Sequence, residues 1–447
     1  VFNNTTANSY NWLTSKSLAT PFRLVGLSDA PAVSVGGGTT VGTTVLTVPA
    51  AITLAGGATT SGSTTVTVTS NAGLAVGMAV RGSGIPEGAS IASIPVGGTS
   101  FVLTTAATAA GTGLTLSAGG TTGFFPGMNI TGTNMPAGAI VTAVTATTVT
   151  ISAAASGSTA GSATFTAQGY LPLPLSGGVA TVNYLLPANQ TLSGATTLGT
   201  LKIPTVTTTN ATLGLAGFDL TFGAAGGGIL ITGTSPFAIG ANLTDLGGIK
   251  AGATGGPVFI HHYGTGVLSI NAPVKNAAPT INTDLIIAGT GVTRLLGSMA
   301  YLGTTAVLQS ATLEFTNVGI SGAGTLGLGL AAPVFIADGA TLRFANATAG
   351  TYTLAAATTA NSHTFTLPGG NARIDVPTAG VILVTSGAFS GAGGLTKTGA
   401  GTLQFAGAAN FEGPLIISAG KVVIPATNII GDTVPVTIAT GAILEMA

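Results

Sequence analysis

The sequence predicts an all-β protein: mostly a solenoid of short strands, with two small tandem β-modules near its N-terminus. Three observations predict it. Glycine makes up 70 of 447 residues and punctuates short alternating runs of Val, Ile, Leu and Thr with no helical period; glycine turns corners and β-branched residues suit a pleated surface. Two different motifs each recur along the chain, as repeat architectures require. Only 5% of residues are charged while 45% are hydrophobic, so the chain has enough apolar surface to order itself.

Eleven basic and eleven acidic residues balance to zero. Such a surface offers no electrostatic footprint for nucleic acid or an anionic membrane, and it lacks the self-repulsion that keeps proteins apart. Cysteine is absent, which excludes disulfides, thiol catalysis and Cys-ligated metal. No run of 18 apolar residues and no leader-like segment is visible. The first residue, Val1, reads as the start of a processed or partial chain. The expectation is a soluble or self-assembled protein, not a membrane-spanning one.

Residues 1–50 form the N-terminal segment, which mixes polar and aromatic residues and holds the single tryptophan, Trp12. It would either cap an open solenoid end or dock on a neighbouring subunit.

Residues 51–170 hold the two modules. The run from Gly77 through Val80, Gly82, Ile85 and Pro86 recurs as Gly127, Ile130, Gly132, Met135 and Pro136 at a constant offset of 50. An alternating strand then follows each copy (Ile91 to Ile94; Val141 to Val144), and a further strand comes after it. This strand, turn, strand, strand order predicts a compact antiparallel unit, and resembles small Gly-Met/Ile-Pro-Gly β-modules of bacterial surface and phage-associated proteins. Between Leu24 and Leu201 only Asp29, Arg81 and Glu87 carry charge, so this stretch is expected to be covered by a partner.

Residues 171–447 are the solenoid. The prolines of LPLPLSGG mark its joint. Its centre of organisation is residues 391–423, GAGGLTKTGAGTLQFAGAANFEGPLIISAGKVV. Leu395, Lys397, Gly399, Gly401, Thr402, Leu403, Gly407, Phe411 and Gly413 fall on a pattern that resembles the autotransporter-associated β-strand repeat. The resemblance implies a right-handed parallel β-helix of passenger type outside a bacterial cell. Gly289, Gly291, Thr293 and Leu295 echo the repeat 110 residues earlier, and Tyr301 and Gly303 match Phe411 and Gly413 at the same offset. Stacked coils bury their apolar faces on one another.

Candidate chemistry is sparse. His261 and His262 are adjacent, so on a strand they point to opposite faces, and His363 brings no carboxylate neighbour. Parallel β-helices also serve as polysaccharide lyases and hydrolases, which need acids on neighbouring rungs; Glu412 with Asp432, and Glu314 with Asp338, have that spacing. Their places beside glycine corners favour solvation or turn hydrogen bonds. Lys397 is expected on an outward strand face, discouraging edge pairing. The glycine runs at 223–228 and 391–394 precede no helix and no G-K-[ST], so they do not read as phosphate loops. Sequons at Asn3, Asn4, Asn129, Asn189, Asn210, Asn242 and Asn346 are what a Thr-rich chain gives by chance. The expectation is no catalytic, cofactor-binding or metal site.

The functional expectation is an extracellular structural protein, not an enzyme, that assembles with copies of itself into a filament, sheath or surface layer. The alternative is a monomeric adhesin-type passenger binding a surface or glycan. A passenger's membrane anchor would lie beyond this sequence, or export takes another route.

Overall fold

The computed structural model describes strands at residues 2–4, 9–11, 13–15 and 24–26, and then residues 33–446 except 87–88, 122–123, 125–127, 181, 187, 205–210, 224–226, 317–332, 355–362, 427–428 and 432. The chain divides into two compact units, Val1–Leu171 with Thr181–Asn183, and Pro172–Ala180 with Tyr184–Ala447. Every described regular element is a strand.

The first unit contains two six-stranded antiparallel sheets with one common strand order. In one, the order is Ile91–Ser93, Ser100–Leu103, Thr65–Thr67, Ile52–Thr59, Gly111–Ala118, Val80–Arg81. In the other it is Val141–Val144, Thr148–Ile151, Val45–Thr47, Val33–Thr39, Thr159–Gln168, Asn129–Gly132. Each sheet closes on itself: Val80 N donates to Ala89 O and Ile91 N to Met78 O, as Ile130 N does to Ala139 O and Val141 N to Met128 O. Closure removes the exposed edges that invite aggregation.

Both antiparallel modules expected ahead of the coil are therefore present, and one of them starts earlier than residue 51, at Val33. The hairpin 33–47 completes the sheet of residues 129–168, while residues 52–118 form the other module in between. One module is contiguous and the other is split around it. The hairpins match at an offset of 20, with Gly42 and Gly62 at their tips holding φ of +76° and +80°, a region glycine enters without strain. In the contiguous core Phe101 packs with Leu116; in the split core the bulk changes sides, to Val149 and Phe165, and all four are buried. Volume-conserving exchanges of this kind keep a core filled.

The second unit is a right-handed parallel β-helix. Two eleven-stranded parallel sheets run its length, and the third face is formed by two five-stranded sheets, from Thr196–Leu198 to Met299–Ala300 and from Gly350–Leu354 to Ile443–Met446. A rung takes 20 residues between Thr293 and Leu313 and 31 between Phe237 and Leu268; corners absorb the difference while the strands keep register. Inward residues stack in columns. Leu201, Ile229, Ile260, Ile287, Val307 and Ile336 are register partners in turn, all buried. Phe365 and Phe389 stack at 4.3 Å with rings 10° apart. Each buried side chain of this size contributes about 1.5–3 kcal/mol, so the coil gains stability rung by rung.

One inward column carries an ion. Leu313, Leu342, Ile374, Lys397 and Ile417 are successive register partners, and Lys397 is fully buried among them. The expected outward place for Lys397 is thus corrected. Strand Gly394–Thr398 alternates from Leu395 inward, so the second residue on must also face inward. The ammonium is satisfied at the corner by the carbonyl oxygens of Thr398 (2.6 Å), Gly399 (2.9 Å) and Ala419 (3.3 Å). Burial, partly offset by the Asp375 charge, lowers its pKa to about 8.

Candidate functional site

The charges of the coil are gathered into a few clusters, and the largest forms an outward row. Strands Val292–Leu295, Thr312–Phe315, Thr341–Phe344 and Asn371–Asp375 lie side by side in one parallel sheet. Their registers place Arg294, Glu314, Arg343 and Asp375 in a single line across four rungs. Because Leu313 and Leu342 point inward, their successors Glu314 and Arg343 must point outward. Arg294 Nε donates to Glu314 Oε1, Arg343 Nη1 lies 3.7 Å from Glu314 Oε2, and Arg343 Nε donates to Asp375 Oδ2 at 2.7 Å. Thr398 Oγ1, one rung further, donates to the other oxygen of Asp375 at 3.0 Å. The side chain of Glu314 is only 6% exposed, whereas those of Arg294 and Arg343 are 37% and 35% exposed.

Leu296, Thr316, Ala345 and Pro377 flank this row and shape a groove of about 470 Å³. Chemically the groove offers guanidinium edges above a line of alternating charge. It can ligate a carboxylate or sulfate group, and its two acids, Glu314 and Asp375, are each engaged by arginine.

Two further acids hold the fold. Asp219 accepts from Lys250 Nζ at 2.6 Å, Lys275 Nζ at 3.2 Å and Gly248 N at 3.0 Å, tying successive rungs. Burial raises its pKa, but the two lysines outweigh this and leave it lowered. Asp245, 8% exposed, accepts five backbone N–H bonds, from Leu215, Ala216, Gly217, Ala241 and Gly247. Here too burial acts upward and the backbone donors win, so its pKa is lowered.

The sequence-expected residues are dispersed. His261 and His262 occupy opposite faces of strand Gly256–His262. His261 stands outward between Phe259 and Tyr263, with ring centroids 5.9 and 6.3 Å away. His262 is fully buried in the interior, and burial lowers its pKa to about 4. His363 is also fully buried. Among the described residues no group of three His, Cys, Asp or Glu could hold a metal ion.

Glu314 and Asp338 are not brought together: Glu314 lies between its arginines, and Asp338 sits at a corner where its Oδ1 accepts from Asn371 N at 2.8 Å. Glu412 is exposed, and Asp432 lies outside the described residues, as do Glu87, Asn210 and the side chains of Trp12, Asn3 and Asn4. Gly391 and Gly394 belong to strands Phe389–Gly391 and Gly394–Thr398, and residues 224–226 of the other glycine run are not described. Of the remaining sequons, Asn129 and Asn346 are buried, whereas Asn189 and Asn242 lie at the surface.

The arginine–acid row escaped the sequence reading. Its signal was the shared form VTRL, TLEF, TLRF and RIDV, but only a register assignment puts the third residue of each in line.

Among the described residues no helix is long and apolar enough to cross a membrane. Comparison with curated proteins finds no match. Residues 395–424, the rung pair that holds Lys397, match the family model described as Passenger-associated-transport-repeat. With its long parallel sheets, the coil therefore carries an autotransporter passenger repeat, of the kind borne by secreted or cell-surface proteins of bacteria.

Proposed function

We propose that this protein is a structural building block of the bacterial exterior that associates with copies of itself into a filament, sheath or layer. The observation that supports the reading is the disposition of its few charges. Lys250 and Lys275 are tied to Asp219, Arg294 and Arg343 to Glu314 and Asp375, and Lys421 to Glu445, while Lys202 and Lys397 are buried. Little charge is left to repel a second copy, and little to drive its binding.

Association of this kind is apolar and insensitive to salt. Sedimentation of the purified chain, with negative-stain microscopy, tests it at low ionic strength and at roughly 1 M salt, where screening acts within about 3 Å. Assemblies that persist at both support the reading. A species of 42.8 kDa at every concentration, or assemblies that dissolve as salt rises, overturn it.

The groove over Arg294 and Arg343 favours a second reading, an adhesin-type passenger that takes an acidic glycan. A monomeric particle that captures such glycans, and loses them on Arg343→Ala, would support that reading instead.

A further inference from the structure

The split module is completed by two segments that the rest of the fold keeps apart in the chain. Hairpin 33–47 seats on the body 129–168, and the whole contiguous module is threaded between them. The seat is made chiefly of backbone bonds, joined by the hydroxyls of Thr39, Ser158 and Thr159. Val48 N donates to Thr147 O (2.8 Å), Ile151 N to Thr44 O (2.8 Å), Ala155 N to Thr43 O (2.9 Å) and Gly42 N to Ala155 O (3.0 Å). The contiguous module repeats this set: Val68 to Thr99, Leu103 to Thr64, Ala107 to Ser63 and Gly62 to Ala107. No charged side chain takes part, and the seated strand Val33–Thr39 reads VSVGGGT. Glycine-rich strands specify register weakly and are prone to exchange between chains.

From this arrangement we infer that the body 129–168 is an interaction surface whose partner is hairpin 33–47 of a second copy of the chain. Exchange retains each bond named above, because the second copy presents an identical hairpin. Only the connection changes, and it has a hinge available at Gly119 and Gly120, which hold φ of +71° and +60°. Two copies trading hairpins close a dimer; a copy that passes its hairpin on in one direction starts an open run. Intramolecular seating enjoys an effective concentration of order mM, so dilute chains close on themselves and exchange belongs to the packed state. The inference deepens the self-association reading and rests on it.

The absence of cysteine makes the test clean. Thr47 and Thr148 face each other across the seat as a pair without mutual hydrogen bonds, about 4.5 Å apart at Cα, within the range of about 4.4–6.8 Å that a disulfide spans. A Thr47→Cys chain and a mass-tagged Thr148→Cys chain are refolded together at roughly mM concentration and oxidised. The expected product is a disulfide-linked pair of one tagged and one untagged chain.

The double variant, oxidised dilute, is the control that the pair can bond. The neighbouring pair Val45→Cys with Thr150→Cys repeats the test independently. Ser100→Cys, the contiguous module's equivalent of Thr148, sets the background. If the double variants cross-link internally while mixed single variants give no linked pair above the Ser100→Cys background, the inference is overturned. Sedimentation of the same samples separates the two proposals: association without mixed disulfides leaves the building block standing and removes the exchange.

Discussion

Replacing Lys397 with methionine tests whether a buried lysine belongs to the passenger repeat's interior. The side chain is fully buried in a column of Leu and Ile, and its pKa is about 8 against an ordinary 10.5. Between these values the unfolded chain holds a proton that the folded chain has released, so folded stability rises with pH across the window and is flat for this group below it. A gap of this size at about 1.4 kcal/mol per unit amounts to about 3 kcal/mol. The neutral amine still donates to the carbonyls of Gly399 and Ala419, whereas methionine leaves both without this donor, at about 1–3 kcal/mol each.

Wild type and Lys397→Met should therefore differ least near pH 7 and most near pH 10.5. Denaturant titrations of both proteins at half-unit pH steps give the difference curve, in which titrating tyrosines and exposed lysines cancel. Parallel curves from pH 8 to 10.5 would refute the reasoning, since they would mean that the ammonium is not desolvated in the fold.

Glu314→Gln removes the anion between Arg294 and Arg343. Because both guanidiniums are about one-third exposed, the loss should be about 1–3 kcal/mol, below the range for a fully buried pair, read as a lowered denaturation midpoint. Asp245→Asn halves the acceptor capacity facing five N–H donors and should cost about 2–3 kcal/mol; since the carboxyl pKa is lowered, the wild-type advantage should fade as pH drops below the ordinary Asp value. His262, buried with a pKa of about 4, protonates on unfolding before it does in the fold. It should accordingly contribute about 3 kcal/mol to the fall in stability between pH 6.5 and 4, and His262→Phe should remove that share in acid denaturation.

The coil was legible because its alternation and glycine corners report local geometry, and the pattern from Leu395 to Gly413 lies within consecutive rungs. What stayed hidden depended on long-range register. Arg294, Glu314, Arg343 and Asp375 align only once corner lengths are known, and corner lengths vary freely between rungs. The split module was hidden for a related reason: its bodies repeat at an offset of 50 and its hairpins at 20, so no single period describes it. Lys397 was readable in principle. Residue type argued for the surface, strand alternation argued for the interior, and three corner carbonyls let alternation prevail.

The threading of one module through the other also orders events in time. The contiguous module closes across the gap from Thr67 to Val80, whereas the split module must close from Thr47 to Asn129. That gap is more than two doublings longer, and each doubling adds about 0.6 kcal/mol of loop entropy. Once the contiguous module has formed, its folded body replaces most of the slack chain, and the later closure becomes short in space. The slow, high-contact-order step is thereby converted into two local ones, with the inner sequence acting as the scaffold on which its own flanks meet.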